Sequence, residues 1–329
     1  MSIPAAKPHI AHIVHELSVN AKTIHIFDMA SKLQGYRHSI ICYATDNTDT
    51  SLLAVMMRSG IDVVGVDTNT TIAPEHLKDY HGAIFHNIAG HAKLGTACPS
   101  VFYGYSGENA EIEATANVVI HPDLTGTHTY TSKHIPQGIP ARMLRRLKVP
   151  TDKFTVGIVD TGVNNKYPMN LVRHFLTYLP EDIKLVLSAP DHLREELVHL
   201  AKQRPDSTFL IPVTAYPDRR VIRQIDVLVR GYAPKYTSYY SKTAIEAMAM
   251  GIPLIYENKG YLSEHLIPEH HALSFETGDS AQALQHVLTL QTDETQYNTL
   301  AANGKLWALG NDQTVYMNQF NRLLKQIGI

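Results

Sequence analysis

The chain of 329 residues is long enough for two α/β domains with a core each, and 44% hydrophobic with 18% charged residues is an ordinary globular composition. A formal net charge of -2 gives no global pull toward nucleic acid or membrane, and Cys42 and Cys98 alone cannot build a disulfide framework. No apolar run reaches the roughly eighteen residues of a membrane span, and MSIPAAKPHIAHIVHEL lacks a signal-peptide core, so a cytoplasmic, unanchored chain is expected.

In chain order, His9 to His15 (HIAHIVH) reads as the first strand and Thr23 to Leu33 as an amphipathic helix stopped by Gly35. Arg37 to Tyr43 and Ile61 to Val66 follow as strands, with Leu52 to Arg58 helical between them. Glu75 to Tyr80, Gly82 to His86, Ser100 to Tyr103 and Asn117 to Ile120 continue the alternation, before the polar, turn-like Thr125 to Ser132. Such alternation predicts a parallel doubly wound sheet. The pattern then restarts. Phe154 to Asp160, Lys184 to Ser188, Thr208 to Ile211, Asp226 to Val229 and Pro253 to Tyr256 read as strands. Helices at Met169 to Tyr178, Asp191 to Gln203, Asp218 to Gln224 and Ser241 to Met250 alternate with them. Ala281 to Leu290, Thr295 to Ala308 and Gln313 to Ile327 close the chain as helices, the last able to pack back on the first domain. The expected fold class is therefore α/β, with two Rossmann-like doubly wound parallel-sheet domains, residues 1–149 and 150–329, facing each other across a cleft.

Nineteen histidines raise the question of a metal, but their spacing answers it. In a strand, His12 points to the opposite face from His9 and His15. No His-x-x-x-His pair or Cys/His cluster has ligand spacing, so no metal is expected.

The stretch Ser241 to Tyr256 organises the second half. Ala244, Ile245, Met248 and Ala249 recur at helical spacing, while Lys242 and Glu246 share another side one turn apart. Gly251 ends the helix, Pro253 forbids its continuation, and Leu254-Ile255 begins a buried strand. A helix start beside a lysine is suited to a phosphorylated ligand. E-A-M-A-M-G-I-P-L-I, followed by Gly260, Glu264, Leu273-Ser274-Phe275 and Gly278-Asp279, resembles the C-terminal donor-binding signature of retaining GT-B glycosyltransferases. More narrowly it resembles the sucrose-synthase-like family, glycosyltransferase family 4.

That resemblance implies a UDP- or GDP-sugar donor, hexosyl transfer with retention, no cofactor and no divalent metal. It assigns the ribose hydroxyls to Glu246 and the diphosphate to amides at the helix start, near Thr243 and Ala244. Lys166, with Leu171 and Val172 in step behind it, falls where the family neutralises the diphosphate. The family's partner arginine falls at Thr161, and Lys242 supplies charge in its place, without the bidentate geometry of arginine. A further family glutamate, which contacts the transferred sugar, falls at Ser238. Around it GYAPKYTSYY replaces a glycine- and acid-rich loop with tyrosines able to stack on a sugar or a base. HIPQGIP, His134 to Pro140, resembles the family's interdomain hinge. On the other side of the cleft His86, ending a strand, matches a family histidine. A second such histidine would fall near Tyr103 or Tyr105. The first βα turn, Ser18 to Lys22, lacks the glycines common in relatives, though Asn20 tolerates positive φ and Lys22 carries charge toward the acceptor side.

Glu246 has plainer readings as well. Thr243-x-x-Glu246 matches a capping box, and a Lys242–Glu246 pair in the weaker order would contribute only about 0.3 kcal/mol. A carboxylate bonded to a ribose diol contributes on the order of 1.5 to 3 kcal/mol. With His86, Lys166 and Glu246 as the catalytic set, the implied chemistry is front-side displacement, the leaving diphosphate held by Lys166, Lys242 and helix amides. The losses at Ser238 and Thr161 favour an alternative, a degenerate nucleotide-sugar-binding module without catalysis. A phosphosugar isomerase or epimerase on the same fold has less residue support. The acceptor is open: a glycan, a lipid-linked or small-molecule hydroxyl, or a DNA base. Two basic clusters bear on it, Arg142, Arg145, Arg146 and Lys148, then Arg219, Arg220 and Arg223.

Overall fold

The computed structural model describes residues 6–14, 17, 21–43, 49–66, 74–86, 98–103, 118–121, 132–134, 153–159, 167–189, 191–212, 219–233 and 241–329. They fall into two units, Met1–Pro136 with Thr314–Ile329, and Gln137–Gln313. The first contains β1 (His9–Val14), α1 (Ala21–Lys32), β2 (Arg37–Tyr43), α2 (Thr50–Arg58), β3 (Asp62–Val66), α3 (Pro74–Leu77), β4 (Gly82–His86), β5 (Ser100–Tyr103), β6 (Val118–His121) and β7 (Ser132–His134). The second contains β8 (Thr155–Ile158), α4 (Met169–Tyr178), β9 (Lys184–Ala189), α5 (Arg194–Ala201), β10 (Thr208–Pro212), α6 (Arg219–Ile222), β11 (Val227–Arg230), α7 (Lys242–Ala249) and β12 (Leu254–Glu257). It continues through α8 (Tyr261–His265), β13 (Leu273–Phe275), α9 (Ser280–Thr292) and α10 (Glu294–Gly310), and α11 (Gln313–Gln326) closes the chain.

Each unit is a parallel sheet, ordered β3-β2-β1-β4-β5-β6-β7 in the first and β10-β9-β8-β11-β12-β13 in the second. Both faces of the central strands are buried, which is why these strands are mainly apolar rather than alternating, with His12 and the charged or polar residues at the strand ends as exceptions. In the first sheet, Ile10, Ile84 and Val101 meet Met29 and Leu33 of α1 together with Tyr316, Met317, Phe320, Leu323 and Leu324 of α11. The last helix thus belongs to the first core. A Cβ at Gly82 would lie 2.2 Å from Ile329 Cδ1, so β4 needs a glycine where the chain end lies against it. On the opposite face Ala11, Ile13, Ile41 and Phe85 pack with Leu77 of α3.

In the second sheet, α4 and α9 cover the face of Val156, Val227 and Ile255. The other face, Leu228, Leu254 and Tyr256, lies under α7 and α8. α7 is buried from Thr243 to Ala249, held between the sheet and α10. Gly304 permits that contact, since a Cβ there would lie 3.0 Å from the His271 carbonyl and 3.3 Å from Met248 Cε.

Three short elements differ from expectation. β7 begins at the end of a stretch that reads as a turn, and α8 and β13 were not distinguished as elements. Each is too short for a hydrophobic period to show. The expected helix Asp191 to Gln203 is a 3-10 turn, Asp191–Leu193, followed by α5. Residues 135–152, with most of the hinge string and the cluster from Arg142 to Lys148, lie outside the described residues. No described helix is long and apolar enough to cross a membrane.

Candidate functional site

Strand order reverses at β1/β4 in the first sheet and at β8/β11 in the second. In open parallel sheets the carboxyl ends at such switch points border the ligand crevice. Helices that follow these strands run back along the sheet, so they begin at that same edge.

At the second switch point, Gly231 follows β11. A Cβ there would lie 2.8 Å from Leu171 Cδ2, 3.4 Å from Pro168 Cβ and 3.7 Å from Glu257 Oε2, so a bare backbone closes onto the start of α4 and the end of β12. Glu257 Oε2 accepts the Tyr232 N–H at 2.7 Å, fixing the loop's first turn. The Arg230 guanidinium lies over the Tyr232 ring, 5.0 Å from its centroid. Arg230 and Glu257 are buried at the ends of adjacent strands, and the sequence reading missed both. The available signal was a charged residue closing an apolar strand. Gly260 opens α8 at φ 70°, a left-handed conformation that suits glycine, between β12 and Glu264.

α7 carries four of the expected donor-binding residues. Its N-cap is Ser241, whose Oγ accepts the Ala244 N–H at 3.4 Å. The Thr243-x-x-Glu246 capping box is therefore not formed, because the helix starts at Lys242 and Thr243 already lies inside its first turn. The Ala244 amide is engaged by the cap. Glu246 has 0% exposure and Thr243 is buried, while Lys242 is half-buried. Lys166, Thr161 and Ser238 lie outside the described residues. Arg219 and Arg220 open α6, with Arg223 just beyond it.

At the first switch point His86 ends β4, buried, with its Nε2 3.1 Å from His12 Nδ1. His12 Nε2 lies 3.0 Å from His38 Nδ1, and His38 Nε2 lies 3.1 Å from the Leu33 carbonyl. Burial first, then the neighbouring His38 and His86, holds the His12 pKa well below the usual imidazole value. Burial also lowers His38, against the opposing pull of the Leu33 carbonyl. His9 turns to the other face, with Nε2 2.7 Å from Ser39 Oγ. This three-ring chain was not foreseen. The alternation placing His12 beside Ile10 marked it as inward-facing, but its partners depend on strand register. Among the described residues no group of three or more His, Cys, Asp or Glu is placed to hold a metal. Ser18 to Asn20 and Tyr105 lie outside the described residues, Lys22 lies in α1, and Tyr103 ends β5.

No protein-family model matches the chain, and no curated protein matches it in sequence. Solved structures do resemble it. HepE of Anabaena, in complex with UDP and glucose, superimposes with a TM-score of 0.79 at 13% identity, covering 97% of this chain and 100% of that one. A glycosyltransferase from Rickettsia africae gives a TM-score of 0.79 at 12% identity, covering 98% of each chain. Sucrose-phosphate synthase from Thermosynechococcus elongatus gives 0.76 at 16% identity, covering 97% of this chain and 99% of that one. The two parallel-sheet α/β units, matched along nearly the whole chain, are the GT-B fold.

Proposed function

We propose that this protein is a cytoplasmic retaining glycosyltransferase of the sucrose-synthase-like kind, moving a hexose from a nucleotide diphosphate sugar to an acceptor hydroxyl. One observation carries the reading. The helix bearing the glutamate signature, α7, begins at the carboxyl edge beside switch strand β11, in a fold shared end to end with HepE, which is solved with UDP and with UDP-glucose. The second unit then takes the donor and the first the acceptor.

Glu246 holds the ribose diol, and Lys166 and Lys242 face the diphosphate as the sugar–phosphate bond breaks, so that positive charge sits where negative charge develops. No cofactor or divalent metal enters this scheme. Gly231, Glu257 and Gly260 shape the backbone that borders the diphosphate. Thr161 and Ser238, which stand where the family has an arginine and a glutamate, favour a second reading as a binding module that holds a nucleotide sugar without turning it over. Mass spectrometry after incubation with mixed nucleotide sugars and candidate acceptors separates the two. A product heavier than an acceptor by one hexosyl residue, a hexose less water, is expected. Donor bound but wholly unchanged after long incubation would support the binding module instead.

A further inference from the structure

An open sheet ends in two outer strands, and each leaves one row of backbone N–H and C=O groups without a neighbouring strand. In the second sheet those strands are β10 and β13, and in the first they are β7 and β3. Three of the four carry features that discourage pairing along such an edge. β7 and β13 are three residues long. β10 ends in Pro212, which has no N–H to give, and Lys184 Nζ puts a charge over the Phe209 ring, 6.0 Å from its centroid. β3 has none of these features. Its five residues, DVVGV, include no proline or lysine, and all five are in register with β2.

The outer side of β3 is open among the described residues. Val64 is 45% exposed, Asp62 and Gly65 are exposed, and a Cβ built on Gly65 would meet nothing within 4 Å. α2 packs on β3 and leaves Val55 and Met57 in solvent, at 43% and 60% exposure. The edge also fits a copy of itself. About a two-fold axis through Val64, an antiparallel neighbour sets Val64 against the same residue of the second copy, Val63 against Gly65 and Asp62 against Val66. No like charges then face each other, and the Asp62 carboxylate is already held from β2 by Arg37 Nη2 at 2.6 Å. In an antiparallel pair, opposed residues alternate between exchanging both hydrogen bonds and exchanging neither. Centring on Val64 therefore matches every outward N–H and C=O of the strand, whether they belong to Asp62, Val64 and Val66 or to Val63 and Gly65. Any other centre leaves one end of β3 unmatched.

We infer that β3 is a self-association edge, along which two copies of this chain join their first sheets into one continuous sheet with β3 antiparallel to β3. The two-fold axis closes the assembly at two copies, because the opposite edge of each sheet is the short β7. The edge lies two strands from β1, outside the β1/β4 switch point, so pairing there leaves the carboxyl ends of the switch strands open. The seam is small, and the pair should exchange with single chains as concentration falls.

Sedimentation equilibrium of the full chain over a wide range of loading concentrations reads the association. The weight-average mass should climb from 36.7 kDa toward twice that value. Val64→Lys, which sets two ammonium groups face to face at the axis, should hold it at the single-chain mass. A second variant does not depend on losing anything. Val64→Cys puts two thiols at the axis, where opposed Cα atoms about 4.5 to 5.5 Å apart are within reach of a disulfide. Oxidation by diamide should cross-link it into a dimer that reductant reverses, while Phe209→Cys on the β10 edge stays a single chain. Cys42 and Cys98 are buried, and wild type oxidised alongside gives their background. A single-chain mass at every concentration up to the solubility limit would overturn the proposal. So would a dimer that survives Val64→Lys, or a Val64→Cys variant that cross-links no better than Phe209→Cys. Neither measurement uses a substrate, so failure here would leave the transferase reading standing, and failure to transfer sugar would leave this result standing.

Discussion

Glu246 is fully buried, and a carboxylate withdrawn from water must meet donors or lose several kcal/mol, so its place on α7 is a demanding one. In the donor-binding role its partners include the ribose diol. Glu246→Gln and Lys166→Ala should each weaken nucleotide-diphosphate binding about tenfold or more, near 1.4 kcal/mol, in titration calorimetry. Unchanged affinity would remove the residue from the donor site. The histidine row makes a separate prediction about acid. His12 and His38 titrate below 6.5 in the fold, so the unfolded chain binds more protons once pH falls past that value. Stability is complete above about pH 6.5 and declines as acid approaches the folded values. The first unit's melting temperature should therefore drop between about pH 7 and pH 5, and His12→Asn should flatten that dependence. Pattern alone put Glu246 on a helix and His86 at the end of a strand, and both lie there. The contacts of Arg230, Glu257 and His38 were not legible, because they come from neighbours in adjacent strands, which a linear pattern does not reveal.

At the scale of elements, periodicity served where elements were long or cleanly bounded. Arg37 to Tyr43, Gly82 to His86, Ser100 to Tyr103 and Met169 to Tyr178 coincide with their structural counterparts. β7, α8 and β13 did not stand out because a few residues carry no period, and only neighbouring strands or helices stabilise them. The α7–α10 seam shows the opposite case, a contact set by one missing side chain. Leucine at Gly304 would push a branched group against the His271 carbonyl and Met248, and no neighbouring backbone can yield cheaply. Gly304→Leu should cost about 1 to 3 kcal/mol in urea unfolding of the second unit, despite the better helix propensity of leucine. A neutral or stabilising result would mean that α10 is free to shift.

At the scale of the molecule, the chain crosses back to complete its first core. Tyr316, Met317, Phe320, Leu323 and Leu324 of α11 are buried among residues of β1, α1, β4 and β5. Phe320→Ala should lower the stability of the first unit by roughly 3 to 5 kcal/mol and leave the second unit's transition in place, as two calorimetric transitions would show. The α/β alternation made the two-sheet architecture readable from the start, since the longer strands and helices had their own apolar patterns. The activity is tested most directly by proton NMR of anomeric signals, recorded while the protein works on a panel of α-linked nucleotide sugars with candidate acceptors. An α-linked product formed first, and lost in Glu246→Gln, is the expected result. A β-linked product, or a saturating panel that is neither bound nor turned over, would contradict retaining transfer.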